Sequence, residues 1–355
     1  MKTMARETPR TSLSAADLLR WLCCPHCRGD LELRTEEYFC LRCQRNYPIV
    51  VGIPDFRVYP DVYVPVEQDY FKARQLQEQV GKLDFAGLVS FYWEHISKPP
   101  TPMYLRERFI RHTLTDVARA RRLPITGIRG GAFLDVGCGP SGMQIIANER
   151  FDTVFGTDIA LRSLVVARKR LNESGLPANL ICCCADFLPF NDKSFDLVTN
   201  ISLLEHTATA ATIVMECGRV AKENGAVFFL TTNRFSLGPE PHVRIWGLGF
   251  VPRKWMPAVV KWLRNRPYDK HHLLSFFEMR RFLKAAGFQR TQYILPEIEP
   301  ADLEHRGHLE KIGAHVFTFL GHVPFLRRIL LAVAPIIQVT GWRGTRDNVV
   351  ADGIK

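Results

Sequence analysis

Between residues 132 and 232, short apolar runs alternate with helical patterns, and no other feature restricts the fold as much. The segments AFLDVGC, TVFGTDI, NLICCCADF, FDLVTNI and AVFFLTT read as buried strands. SGMQIIANER, LRSLVVARKRLNESG and the stretch from Ala208 to Val220 read as the helices between them. Strands alternating with helices predict an α/β fold with a parallel, doubly wound sheet. Ligands of such sheets sit at the carboxyl ends of the strands. Cys182, Cys183 and Cys184 fall in the third strand and read as small buried hydrophobes rather than reactive thiols.

The turn after the first strand, Gly137-Cys-Gly139-Pro-Ser-Gly142, matches the dinucleotide pattern G-x-G-x-x-G, and Asp158 follows where a ribose-binding acid belongs. Asp135 argues against a dinucleotide. It stands two residues before the first glycine, where a carboxylate would repel a pyrophosphate docked on the helix N-terminus. It suits a ligand carrying an ammonium group. The third strand also ends in an acid, Asp186, followed by Phe187; the pair can accept from an adenine amino group and stack on its ring. An ammonium, a ribose and an adenine without phosphates describe S-adenosylmethionine.

FLDVGCGPSG, GTDIA, CADFLPFNDKSFDLV, LLEHT and GRVAKENGAVFFLTTN, in that order over residues 130–235, resemble the successive motifs of class I S-adenosylmethionine-dependent methyltransferases of the small-molecule type 11 kind. The resemblance implies Asp135, Gly137 and Gly139 around the methionine moiety, Asp158 on the ribose hydroxyls, and Asp186 with Phe187 at adenine, with Ile159 also among the cofactor-binding residues. It implies a Rossmann-like, seven-stranded sheet. Attack by a hydroxyl also needs a proton acceptor. The candidates are Glu205 and His206 after the fourth strand, His242, and the pair His271-His272. The quinone-biosynthesis O-methyltransferases, which LLEHT is similar to, carry E-x-x-E-H here and hold a divalent metal with both acids and the histidine. Ser202 stands in the place of the first acid, so no metal is expected from that pattern. Asn233, Glu240 and His242 lie in a proline-stiffened loop expected to present side chains to substrate.

Five of the ten cysteines crowd into Leu22–Pro48. Cys24-Pro-His-Cys27 and Cys40-Leu-Arg-Cys43 are separated by twelve residues, and two such knuckles complete a tetrahedral metal site. Structural Zn2+ is therefore expected at Cys24, Cys27, Cys40 and Cys43, with Cys23 left over. With YPIVVGIPDF behind it, the stretch 18–57 resembles Trm112-like zinc-ribbon domains. So short a segment builds little core, and metal is expected to supply most of its folding energy. Chelation is then expected to unfold the ribbon and leave cofactor binding by 130–235 measurable.

The fold expected is α/β, a seven-stranded methyltransferase sheet with a small N-terminal zinc ribbon and helical insertions. Its segments are 1–60, the ribbon; 61–128, helices over the cofactor; 129–235, the cofactor-binding core; 236–275, a basic, tryptophan-bearing lid; and 276–355, the last helix, a helical insert at 301–334 and the final strands. Of the net charge of +11, +9 lies from residue 234 onward, with 19 basic against 10 acidic residues. The segment RKWMPAVVKWLRN separates a basic face from one bearing Trp255, Met256, Val259, Trp262 and Leu263. Residues 250–266 thus read either as an interfacial membrane helix or as a lid packed on the sheet. Their aromatics lie opposite the charges, which makes nucleic acid the weaker partner. The N-terminus lacks a leader-like apolar stretch and no segment is long enough to span a bilayer, so a cytoplasmic protein, in contact with the inner membrane face if 250–266 is interfacial, is expected. Three functions remain open: methyl transfer to a small or lipid-linked acceptor, methylation of RNA, and cofactor binding without catalysis.

Overall fold

A computed structural model describes residues 11–97, 103–125, 127–297 and 307–343. The N-terminal segment 1–10 and residues 301–306 of the helical insert lie outside the described residues. The contacts resolve two compact units: one runs up to Thr199 and includes Arg219–Lys222, the other comprises Asn200–Gly218 and the described residues from Glu223.

The first unit opens with α1 (Ala15–Leu18), capped by Ser14, and a four-stranded antiparallel sheet. Its strands are β1 (Leu31–Leu33), β2 (Glu37–Cys40), β3 (Asn46–Val50) and β4 (Ile53–Pro54). The helices α2 (Val66–Gln77), α3 (Phe85–Phe91), α4 (Met103–Leu114) and α5 (Asp116–Arg121) follow. The α/β core supplies β5 (Ala132–Val136), α6 (Gly142–Asn148), β6 (Thr153–Asp158), α7 (Leu161–Glu173), β7 (Asn179–Cys182) and β8 (Phe195–Ile201). β5, β6 and β7 pair in parallel, as the alternation predicts. Leu76, Leu88, Val89 and Ile96 pack with Leu164, Val165 and Leu171 of α7, and Phe91, Tyr92 and Trp93 lie partly buried against that cluster. Cys182, Cys183 and Cys184 are buried, and burial pushes their thiols up.

The small sheet is docked rather than tethered. Trp21 packs on Phe155 of β6 and Phe195, with ring centroids 5.0 and 5.7 Å away. Asp55 bridges in parallel to Cys182, and the Phe56 N–H donates to the Cys182 carbonyl at 2.7 Å. Beneath this junction lies a buried ion network. Arg57 donates to Asp55 and Asp69 at 2.6 and 2.8 Å, and Arg162 donates to Asp69 and Asp61 at 2.7 and 2.8 Å.

The second unit contains α8 (Ala210–Val220) up to Gly218 and most of β9 (Ala221–Thr232), then α9 (Met256–Arg264), α10 (Phe276–Ala285), β10 (Arg290–Ile294), α11 (His308–Gly321), α12 (Pro324–Val333) and β11 (Ile336–Trp342). β11 pairs antiparallel with both β9 and β10, so the final hairpin is present with α11 and α12 inserted into it. The full strand order is β10-β11-β9-β8-β5-β6-β7.

Helix α9 departs from its helical projection. Met256 and Val260 are its buried residues, packed with Val243, Ile245, Leu248, Tyr268 and Leu273. Trp255, Trp262 and Leu263 are exposed, Trp262 by 82%. The reason is length: with Pro257 in its first turn, α9 is nine residues long and two side chains anchor it. No described helix is long and apolar enough to cross a membrane.

Candidate functional site

The turn after β5 is held open by its own backbone. The N–H groups of Gly137 and Cys138 both donate to the Thr157 carbonyl at 2.8 Å, and Gly139 has φ +50°, a conformation that favours glycine. A Cβ on Gly139 would meet no atom within 4 Å, so there is room beside the turn for a ligand. Asp158 fixes both banks, accepting from the N–H of Gly139 and of Ala160 at 2.9 Å each. Arg170, buried on α7, donates to the Pro140 carbonyl at 3.0 Å and pairs with Asp116 at 2.7 Å.

Asp135 is 3% exposed and accepts from the Thr199 hydroxyl at 2.8 Å. Burial, with the charges of Asp158 and Asp116 adding to it, lifts its carboxyl to about 7 against the pull of Thr199. Burial raises Asp158 as well. A buried acid and a partly buried one beside an open glycine turn fit a ligand with a cationic end and hydroxyls, which is the demand S-adenosylmethionine makes. Ile159 points its carbonyl at Arg57, 3.2 Å away, so its backbone is tied to the ion network. Asp186 accepts from the Tyr59 hydroxyl, and Phe187 has Tyr59 and His26 at ring distances of 6.2 and 6.3 Å. Sequence reading missed Tyr59 and Arg170. Tyr59 lies 127 residues from Asp186, and nothing local announces the contact.

The four cysteines converge. Cys24 and Cys43 have their Sγ atoms 3.5 Å apart, Cys27 and Cys40 3.4 Å apart, and all four lie within 4.8 Å of one another. Zinc–sulfur bonds of about 2.3 Å give a tetrahedron with edges of roughly 3.8 Å, so the cluster could hold one ion. The two knuckles are built alike. The residue after each, Arg28 and Gln44, has a positive φ (59° and 58°) and donates its N–H to the Cys24 or Cys40 carbonyl at 2.9 Å. Gly29 is required because a Cβ there would sit 2.7 Å from that of Arg42. Cys23 stands apart, its thiol on the Phe190 carbonyl and raised by burial.

The second unit gathers three histidines. His206 ends the short helical turn after β8, His242 lies in the loop after β9, and His271 precedes α10. Their ring centroids are 5.1 Å (His206–His242), 5.4 Å (His206–His271) and 4.2 Å (His242–His271) apart. The backbone explains the convergence, since the His272 N–H donates to the Glu205 carbonyl at 2.7 Å. Glu240 sits on an antiparallel turn closed by Pro239 and Trp246. It is 4% exposed, accepts from the His242 and Val243 N–H groups at 2.8 and 2.7 Å, and holds His242 Nδ1 at 2.5 Å. Burial lowers His206, and burial with the neighbouring rings lowers His271 to about 4, so both stay neutral near pH 7.

Three other candidates are placed differently. Glu205 is buried and its carboxylate accepts from the hydroxyls of Thr231 and Thr232 at 2.8 and 3.1 Å, which ties the turn to β9. Asn233 spends its amide on the carbonyls of Ala332 and Ala334, each 2.9 Å away. His272 is exposed. The turn around Glu240 presents its other side to an apolar pocket of about 460 Å³. Pro239, Pro241 and Trp246 form one wall; Ala314, Phe317 and Leu320 of α11 with Leu330 and Val333 of α12 form another.

A doubly wound sheet with an open glycine turn, acids at the ends of its first two strands and a third acid in the turn after β7 fits an S-adenosylmethionine-binding fold. The model of the methyltransferase domain family matches residues 134–229. Ubiquinone biosynthesis O-methyltransferase of Idiomarina loihiensis is 32% identical over 164 residues, 46% of this chain and 63% of that protein. Its counterpart from Thiobacillus denitrificans is 30% identical over 172 residues, 48% of this chain and 68% of that one. This chain therefore belongs to the class I S-adenosylmethionine-dependent methyltransferases. The first of those relatives is matched over less than two thirds of its own length. Among solved structures, geranyl diphosphate C-methyltransferase of Streptomyces coelicolor superposes with a TM-score of 0.44 at 14% identity, over 74% of this chain and all of that one.

Proposed function

We propose that the chain methylates a hydroxyl of a small, apolar, lipid-linked acceptor at a membrane surface. The observation that carries this is the apolar pocket beside the histidine loop. Val316 lines that pocket and is itself half exposed, in line with Leu309, Ile312 and Phe319 along one face of α11. Phe325 and Ile329 of α12 extend the apolar surface, flanked by Arg327 and Arg328. Exposed apolar side chains with a basic fringe suit an anionic bilayer, and Trp255 and Trp262 add to them. The O-methyltransferase relatives favour oxygen as the acceptor atom.

Asp135, Gly137, Gly139, Asp158 and Ile159 would hold the methionine and ribose ends of S-adenosylmethionine, and Asp186 with Phe187 the adenine. Bound there, the cofactor would supply an electrophilic methyl: the acceptor oxygen would take the methyl and give up its hydroxyl proton to a base or water, and sulfur would keep the electron pair of the broken C–S bond. The protein's own work is to align the acceptor, exclude water and manage the hydroxyl proton. His206 and His242 are the groups proposed on the acceptor side, with Glu240 orienting His242. Glu205, bonded to the two threonines, acts as a positioning residue. The four cysteines would hold a structural Zn2+.

Incubation of the full chain with methyl-labelled S-adenosylmethionine and fractionated extract is expected to place label in the lipid-extractable fraction. The Ile312→Asp, Phe319→Asp double variant is expected to lose co-sedimentation with anionic vesicles while still binding cofactor. Label confined to RNA, or vesicle binding unaffected by the double substitution, contradicts the reading.

A further inference from the structure

We propose that His206, His242 and His271 form a three-histidine site for a divalent transition-metal ion of the zinc class, with Glu240 orienting His242. One ring nitrogen from each lies within 4.8 Å of the other two. Zinc–nitrogen bonds of about 2.0–2.1 Å ask for roughly 3.4 Å between ligand atoms, a contraction within reach of the soft ring torsions of histidine.

A second observation points to a ligand. The Nδ1 atoms of His206 and His271 are buried without a hydrogen-bond partner. Buried polar atoms are nearly always paired, and an orphan costs more than a hydrogen bond returns. Two orphaned ring nitrogens in one cluster of three imidazoles is what a site built around a cation looks like. His242 differs because its Nδ1 faces Glu240, which leaves Nε2 as its donor atom and forms the carboxylate–histidine pair that typically supports a metal ligand. The set is distinct from the acid-and-histidine pattern weighed in the sequence. Ser202 replaces the first acid, and the Glu205 carboxylate is committed to Thr231 and Thr232.

Three nitrogen ligands leave a fourth position open, as in catalytic rather than structural sites. An ion there would polarise the acceptor hydroxyl and make its proton easier to lose. The inference rests on the reading of this loop as the acceptor side and refines it: the histidines serve as ligands rather than as bases.

The test uses the whole chain with its cysteine site filled by zinc, titrated with Co2+ alone, without cofactor or acceptor. One further equivalent is expected to bind, with visible d–d absorption and no sulfur-to-metal band; cobalt entering the thiolate site would show that band. His242→Ala and His271→Ala are each expected to lose the equivalent. Glu240→Gln, which keeps the shape of the loop, is expected to weaken cobalt binding about 10–100-fold. Wild-type protein taking up no second equivalent, or taking it up equally after both histidine substitutions, overturns the proposal. Because no methyl transfer is involved, that failure would leave the methyltransferase reading standing. A metal-loaded protein that methylates nothing would count against that reading alone.

Discussion

Asp69→Ala is expected to destabilise the first unit by about 3–5 kcal/mol, the cost of stranding a buried charge. Asp69 is fully buried and is shared by two arginines, Arg57 at 2.8 Å and Arg162 at 2.7 Å. It also accepts from the Leu161 N–H at 2.9 Å, so it caps the start of α7. Asp55 and Asp61 retain one arginine each, but neither can replace a carboxylate that touches both. Asp69→Asn keeps the shape and removes the charge, and a smaller loss is expected from it. Urea unfolding of the two variants reads both values. The effect should extend to the cofactor, because Arg57 also donates to the carbonyl of Ile159, next to Asp158. A loss below about 1 kcal/mol for Asp69→Ala would place the network among dispensable ion pairs.

Cys27→Ser combined with Cys43→Ser is expected to unfold the small sheet and weaken S-adenosylmethionine binding by tenfold or more. Sequence reasoning alone makes the ribbon a separable staple, whose loss spares the cofactor. The contacts argue otherwise. Tyr59, at the end of the ribbon segment, donates to Asp186, and Arg28 of the first knuckle donates to the Leu188 carbonyl at 2.6 Å. Asp55 and Phe56 pair with Cys182 at the end of β7. Unfolding the ribbon would release the Tyr59 bond to a carboxylate, worth about 1.5–3 kcal/mol, and 1.4 kcal/mol is a factor of ten in affinity. Circular dichroism and equilibrium cofactor binding, measured on the same variant, check the two halves together. An unfolded ribbon with unchanged affinity would restore the staple.

What the sequence made legible was local. The glycine turn, the acids at or just beyond the ends of three successive strands and the two cysteine knuckles each lie within a few residues of their own element, and spacing alone brings them into register. The final antiparallel hairpin was legible too, although α11 and α12 separate its strands. The exposed side of α9 was not, because a projection orders residues around a helix without saying which neighbour covers them. Met256 and Val260 meet a cluster made by Val243, Tyr268 and Leu273, and the tryptophans beside them meet nothing comparable. His206, His242 and His271 were visible as separate candidates. Their convergence depends on the backbone bond between His272 and Glu205, a contact of long sequence separation that no periodicity encodes, and on the local turn at Glu240. The commitment of Glu205 to Thr231 and Thr232 was hidden for the same reason.

The most direct measurement of the central claim is an equilibrium titration of the full chain with S-adenosylmethionine, run beside Asp158→Ala. Saturable one-to-one binding is predicted for the wild type. The variant loses the carboxylate that would meet the ribose and fixes the Gly139 and Ala160 N–H groups, and it should bind roughly 10–100-fold more weakly, matching a loss of about 1.5–3 kcal/mol. No binding by the wild type, or equal affinity in a folded Asp158→Ala, would contradict the account.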